Sequence, residues 1–348
     1  MPESGSFTYQ EIMSQPEAWA QALEIVRSQE QQIQELWHQF PDMEVVFTGC
    51  GSTYYLSLAA AALFQMLTGR GARAFPAGEL YLYPKVAFGE GNQDPILLVA
   101  VSRSGTTSET IAAVNQFAEE NRGPVMSIST YGDTPLANLC DLSIVIPAGG
   151  EQSVAQTRSF ASMYVASVAL ATLIAGRLDL FDAMSRLPSL GERLLEKSGP
   201  QARAIGENLA LDRFYFLGSG PRYGLACEAN LKMKEMTLTH SEPFHFLEFR
   251  HGPMSMVKDT AMVIGLRSEI NRRHEQAVLK QMRAFGGQVF ELAETGGDLN
   301  FQSQIPESVR NVLYLPPLQL MAYYRSLKKG LNPDRPQNLT AVVELDLN

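Results

Sequence analysis

The residues best equipped for chemistry fall in two clusters. One is SRSGTTSET, from Ser102 to Thr110, a hydroxyl-rich turn between the apolar run ILLVAV and the helical pattern IAAVNQFAEE. Backbone N–H groups at a helix start are unpaired and carry partial positive charge. With the hydroxyls of Ser102, Ser104 and Thr107 around them, they could hold a phosphate dianion without a dedicated lysine. Capping needs one Ser or Thr, so the surplus points to an anion. The other cluster is CEANLKMKEMTLTHSEPFHFLEFRHGPMSMV, residues 227–257. Glu228, Lys232 and Glu235 are spaced i, i+4, i+7 and share a helical face. That face is either a solvated ion-pair stripe or a carboxylate beside a lysine. The second arrangement suits proton transfer at a carbon next to a carbonyl. Spacing alone leaves both open.

His240, His245 and His251 lie close together, but their spacing matches no standard zinc pattern and the cysteines do not complete one. No metal is expected. His251, in RHGP, reads as an acid/base residue on a shaped loop or as a plain loop histidine. FTGCGSTYY (47–55) begins like a dinucleotide fingerprint, yet Tyr54 stands where a third glycine belongs and no acidic residue follows at the ribose position. There is no GxxxxGK[ST] either. What remains is a strand entering a helix through small and hydroxyl residues. EQSVAQTRSF (151–160) follows a predicted strand and its AGG loop, a place where α/β sheets gather ligands.

These residues need a scaffold. The chain has 348 residues, 45% hydrophobic and 19% charged, with 28 Lys and Arg against 37 Asp and Glu, a net charge of −9. That is length for roughly two domains with substantial cores. The acidic balance argues against general nucleic-acid binding. Three scattered cysteines, Cys50, Cys140 and Cys227, provide no disulfide framework and fit a reducing cytoplasm. No signal-peptide pattern opens the chain, and the run LSLAAAALF is broken at Gln65, short of a bilayer span. A cytoplasmic location away from membranes is expected.

Residues 1–40 are polar and helical in pattern, with a stripe of Trp19, Leu23, Val26, Ile33, Leu36, Trp37 and Phe40, punctuated by Pro41. Then short apolar runs alternate with helical patterns: strands over 44–49, 95–102, 124–130 and 141–147, and an extended reading for ARAFPAGELYLY. Residues 157–211 read as mostly helical. Strands follow over 214–218, 260–266 and 287–293, with helices over 222–239 and 270–285 and a last helix in PLQLMAYYRSLKKGL. The rhythm predicts parallel α/β sheets covered on both faces. FTGCGSTYYLSLAA (47–60) and FLGSGPRYGLACEA (216–229) share six identities at a constant offset of 169, among them Gly49 and Gly218, Gly51 and Gly220, and Tyr54 and Tyr223. Such self-similarity reads as one α/β unit in two copies.

Taken in order, GCGSTYY, SRSGTTSET, EQSVAQTRSF, EANLKMKE, RHGP and the tail NPDRPQNL resemble the sugar isomerase (SIS) family. The likeness covers roughly residues 40–345 and is nearest the isomerase half of glucosamine-6-phosphate synthase and its stand-alone relatives. It implies two tandem doubly wound parallel-sheet SIS domains, flavodoxin-like three-layer sandwiches. The expected boundaries are a helical segment 1–40, a first domain 41–195, a second 196–330 and a tail 331–348 over the active site. By the same resemblance Ser102, Arg103, Ser104 and Thr107 hold a sugar phosphate, with Ser52, Thr53, Val154, Gln156 and Glu228 nearby. Glu235 matches the carboxylate that moves a proton between C1 and C2 of the open-chain sugar, and Lys232 the lysine beside it. His251 matches a histidine that assists ring opening across a homodimer interface. No cofactor is implied.

The chain also departs from the synthase. It begins MPESGS rather than with a glutaminase, and near Ala341 it lacks the synthase's tail lysine, so glutamine-driven amination is not expected. Arg103 stands where the family pattern has a neutral residue, and Gln156 where it has serine. The expected function is therefore an enzyme of the aldose–ketose isomerase type on a hexose 6-phosphate or an amino-sugar or fructosamine 6-phosphate, by isomerisation, deamination or deglycation. The alternative is a non-catalytic phosphosugar-binding regulator. Retention of Glu235, Lys232 and His251 favours the enzyme.

Overall fold

The apolar runs do form buried strands, and the Gly-marked turns do open helices. The structure is a computed structural model that describes residues 4–39, 43–89, 95–343 and 345. The first five strands are β1 Glu44–Gly49, β2 Ala72–Pro76, β3 Ile96–Ser102, β4 Val125–Ser129 and β5 Leu142–Val145. The next five are β6 Arg213–Leu217, β7 His240–Phe244, β8 Ala261–Leu266, β9 Gln288–Ala293 and β10 Leu299–Asn300. They build two all-parallel sheets, ordered β2-β1-β3-β4-β5 and β10-β9-β8-β6-β7. Read from its first strand, each sheet runs 2-1-3-4-5, the flavodoxin-like order. Its switch point lies between the first and third strands, where such sheets bind ligands.

Every position of β3, β4 and β8 is buried, as strands covered on both faces require. In the first sheet Val46, Leu98 and Ala100 pack with Leu80, Phe88, Val114 and Phe117. In the second, Tyr215, Leu217 and Val263 pack with Phe246, Phe249, Val278 and Met282. Each fully buried side chain of this kind stabilises by roughly 1.5–3 kcal/mol.

The two copies of the internal motif fold alike. β1 passes through Gly51 (φ 56, ψ −121) into the helix Ser52–Thr68, and β6 passes through Gly220 (φ 57, ψ −135) into the helix Pro221–Thr237. Left-handed φ at both caps explains the shared glycine. The backbone bonds repeat as well: Thr53 N–H to the Cys50 carbonyl at 3.2 Å and Arg222 N–H to the Ser219 carbonyl at 3.3 Å.

The chain divides into two compact units, neither a single stretch. One holds the described residues of Glu17–Glu151, Arg158–Ser185 and Thr340–Asn348, with the first sheet. The other holds those of Met1–Pro16, Gln152–Thr157 and Arg186–Leu339, with the second. The boundary expected at 195/196 falls inside one continuous helix, Leu187–Gly206, so the division moves to Ser185/Arg186. The N-terminal segment is also shared. Helix Ser6–Met13 belongs with the second sheet; helices Gln15–Ser28 (from Glu17 on) and Glu30–His38 belong with the first. In the latter pair the expected stripe is buried at Trp19, Leu23, Val26, Ile33 and Leu36, and Trp37 meets Phe64 edge-on at 5.8 Å. Phe40 and Pro41 lie outside the described residues.

Three elements differ from expectation, among them the two-residue β10, which the apolar pattern did not mark. ARAFPAGELYLY is extended only through Pro76; Ala77–Leu82 is helical, with Ala77 and Leu80 buried three apart on one face. β7, HSEPF, was not anticipated. It is an edge strand, where a polar pattern and a proline are tolerated because one side needs no ladder hydrogen bonds.

Candidate active site

In the first-sheet unit the turns after β1 and β3 lie at the ends of paired strands. Ser102, the last residue of β3, is buried and accepts from Gly105 N–H at 3.1 Å; half-buried Ser104 accepts from Thr106 N–H at 3.2 Å. Thr107 is the N-cap of the helix Ser108–Glu119, yet its hydroxyl makes no capping hydrogen bond. The surplus of hydroxyls is therefore not explained by capping. Ser52 and Thr53 open the neighbouring helix, both buried. The Thr53 hydroxyl accepts from Cys50 N–H and donates to the Cys50 carbonyl, each at 2.9 Å. Its first task is therefore to hold the turn's own backbone.

Arg103 faces the unit's interior and is 7% exposed. One Nη donates to the Ala341 carbonyl at 2.6 Å, and the other lies 3.7 Å from the Glu151 carboxylate, whose side chain is fully buried. Leu345 N–H donates to Ser108 Oγ at 3.0 Å. The arginine that the sequence left open thus anchors Ala341, and Leu345 is tied to the start of the helix that follows the hydroxyl-rich turn.

The second-sheet unit carries the acid/base candidates. Helix Pro221–Thr237 is buried on nearly every side, with Leu225, Ala226, Ala229, Met233 and Met236 in the core. A helix buried all round must place its charges inside as well. Glu228 is fully buried and Lys232 is 1% exposed. Lys232 Nζ lies 3.3 Å from Glu228 Oε1 and 2.6 Å from Glu235 Oε2, and the Glu235 side chain is 20% exposed. Burial alone would lower the Lys232 pKa, but the two flanking carboxylates reverse that and hold it above the ordinary lysine range. Of the two readings the spacing allowed, the solvated stripe is excluded. The arrangement is a buried ammonium fixed between an interior carboxylate and one that reaches solvent. The helix end is fastened by Lys329 Nζ, which donates to the Thr237 carbonyl at 2.5 Å, satisfying a terminal carbonyl.

His251 lies outside this cluster, exposed on a turn after the short helix Glu248–Arg250, its N–H donating to the Glu248 carbonyl. His245 stacks on Tyr223 at 3.8 Å between ring centroids, and burial holds its pKa below the ordinary value, against the opposing pull of Glu248. Among the described residues no group of three or more His, Cys, Asp or Glu side chains is placed to hold a metal ion.

Val154 and Gln156 belong to the loop Gln152–Thr157 of the same unit. Two residues that the sequence reading did not single out hold that loop. Glu11 accepts from Gln152 N–H at 2.6 Å and from the N–H and hydroxyl of Ser153. Asp334, in the NPDRPQNL tail, accepts from Gly5, Phe7 and Thr8 N–H and from the Thr8 hydroxyl, and its carbonyl accepts from Val154 N–H at 2.9 Å. Asp334 therefore caps helix Ser6–Met13 from over 300 residues away, a bond that local sequence signals cannot reveal.

The sequence and fold can be set beside known proteins. The chain is 28% identical to the isomerizing glutamine–fructose-6-phosphate aminotransferase of Pseudomonas putida, over 98% of this chain and 59% of that protein. It thus spans about three fifths of that relative's length. The glucosamine-6-phosphate deaminase of Thermotoga maritima superposes with a TM-score of 0.79 at 28% identity, over 98% of this chain and 100% of that one. The tagatose-6-phosphate ketose/aldose isomerase of Escherichia coli superposes with a TM-score of 0.84 at 24% identity, over 96% and 98% of the two chains, a likeness of fold. The SIS domain model matches residues 42–173 and 211–315, one segment per sheet. The chain belongs to the SIS domain family.

Proposed function

We propose that the chain is an enzyme that moves a proton between C1 and C2 of an open-chain hexose 6-phosphate or amino-hexose 6-phosphate. The reaction is isomerisation, or isomerisation coupled to release of an amine from an amino sugar or fructosamine. The observation that carries this reading is the Glu228–Lys232–Glu235 arrangement. Enolisation next to a carbonyl needs a carboxylate that is positioned, ionised and reachable. Glu235 is held by an ammonium at 2.6 Å and retains access to solvent. Glu228 supplies the second negative charge that keeps Lys232 protonated.

In this reading Glu235 takes the proton from the carbon next to the carbonyl and returns it to the neighbouring carbon, and Lys232 orients Glu235. Ser102, Ser104, Thr107 and the N–H groups of the turn bind the phosphate, with Ser52, Val154 and Gln156 as further contacts. Thr53 and Arg103 are reassigned: the first shapes its turn and the second anchors the tail. His251 is proposed as the acid that opens the sugar ring, working across a homodimer. Its exposure, beside exposed Leu247 and Met256, is compatible with that; light scattering of the purified chain tests the dimer. The names of the relatives, an aminotransferase, a deaminase and a ketose/aldose isomerase of 6-phosphosugars, support the substrate class.

The test is Glu235→Gln, assayed on fructose 6-phosphate, glucosamine 6-phosphate and fructosamine 6-phosphates with amine release followed directly. A lost general base should reduce kcat by about 10²–10⁴-fold while phosphosugar binding persists. Undiminished turnover in that variant rejects the base assignment.

A further inference from the structure

The second sheet has a switch point of its own. Pairing places Phe47 beside Val99 in the first sheet and Phe216 beside Ile264 in the second. The loop that follows β8, starting at Arg267, is therefore the topological counterpart of the Ser102–Thr107 turn. It too presents a serine and consecutive backbone N–H groups ahead of a helix, Arg272–Ala284.

An anion already occupies this loop, and the chain supplies it. Glu307 Oε1 accepts from Ser268 Oγ and from Arg222 Nη1, both at 2.6 Å. Oε2 accepts from Glu269 N–H at 2.8 Å and from Ile270 N–H at 3.3 Å. Arg222 is 4% exposed and lies in the first turn of the helix Pro221–Thr237 that follows β6, the counterpart of Thr53 at the offset of 169. A hydroxyl, a guanidinium and two successive N–H groups thus converge on one carboxylate, the donor set by which loops bind phosphate oxygens. Glu275 lies close by, with Oε1 3.9 Å from Arg222 and Oε2 accepting from Ser268 N–H at 2.6 Å. Burial pushes its carboxyl above the ordinary range, against the pull of Arg222.

We infer that the loop after β8 is a second small-oxyanion site, which the chain fills with the Glu307 carboxylate, and that vacating it opens the loop to inorganic phosphate. Glu307 acts as a built-in ligand. It reserves phosphosugar binding for the Ser102–Thr107 turn and ties the segment around residue 307 to the sheet. The inference rests on reading the Ser102–Thr107 turn as an anion cradle, since that is the source of the analogy.

Calorimetric titration of inorganic phosphate, on the wild type, Glu307→Ala, Ser104→Ala/Thr107→Ala and the triple variant, separates the two ideas. Glu307→Ala should bind one phosphate more than the wild type. The triple variant should bind one more than Ser104→Ala/Thr107→Ala, and Glu307→Gln, which leaves the loop filled, should bind no more than the wild type. If Glu307→Ala gains no phosphate, the second site is refuted, whatever the first turn does. If the wild type and Ser104→Ala/Thr107→Ala bind phosphate alike, the reading of the first turn fails, and a gain in the triple variant still upholds the second. Should Glu307→Ala unfold in phosphate-free buffer, restoration of cooperative unfolding by phosphate or formate supports the inference. Failure of both anions to restore it overturns it.

Discussion

The turns after β3 and β8 occupy the same place in two sheets of identical strand order, and they are neutralised in opposite ways. After β8, the serine hydroxyl, two N–H groups and Arg222 all close on Glu307, so the loop's polarity is spent within the protein. After β3, Ser102 and Ser104 bond to their own turn, and Thr107 leaves its hydroxyl out of the cap. The arginine of that turn is directed to Glu151 and the tail. On the proposed function, strand order sets where an anion can sit, while one acidic residue elsewhere in the chain decides whether the seat is taken.

Four sets of changes break or sharpen this contrast. The largest effect is expected at the ammonium that both candidate carboxylates share. Lys232→Met leaves Glu228 buried without its counter-charge, and urea unfolding should show a loss of about 3–5 kcal/mol. Because the Lys232 pKa is raised on folding, its stabilisation is complete below the unfolded lysine value of about 10.5 and disappears only as pH rises through the folded value. The gap between wild type and variant should hold through neutral pH and narrow in strong alkali. Next, Ser104→Ala and Thr107→Ala should raise KM for a phosphosugar on the order of tenfold or more each, since hydrogen bonds to charged groups are worth about 1.5–3 kcal/mol. Ser268→Ala, the matching change in the occupied loop, should lower the melting temperature and leave KM alone. If Ser268→Ala raises KM as Ser104→Ala does, the two loops are not distinct in function.

The third contrast is one of pH. Burial alone would raise the Glu307 pKa, but Ser268, Arg222 and the N–H groups of Glu269 and Ile270 outweigh it and hold the carboxyl below the ordinary range. Its stabilisation is present above the unfolded glutamate value of about 4.3 and is lost as pH falls through the lower folded value. The stability gap between wild type and Glu307→Gln should therefore be full at neutral pH and close in acid, as followed by denaturant unfolding across pH. The smallest effect is expected at Arg103. Arg103→Ala should cost about 1–3 kcal/mol for the Glu151 partner left behind and speed proteolysis near Ala341, with little change in kcat.

Much of this molecule was legible in the chain. Apolar runs of strand length located β1, β3, β4, β6, β8 and β9 within a residue or two, because strands buried on both faces have few other compositions. The identities at an offset of 169 marked paired turns, because only glycine readily takes the left-handed φ found at Gly51 and Gly220. The hydroxyl turn and the 228/232/235 face were visible for the same local reason. Burial was not visible. The spacing allowed either a wet stripe or an interior triad, and the choice came from core packed on nearly all sides of the helix Pro221–Thr237. Also hidden were the bonds of Glu11, Asp334 and Glu307 and the resting place of Arg103, each of which joins residues far apart in the chain. The sequence determined most of the strands, the helix starts and the candidate chemistry, because these depend on local backbone preference and hydrophobic pattern. Only the tertiary structure decided which charges are dry, which hydroxyls are already engaged and which anion cradle is filled, because those depend on what the fold brings alongside.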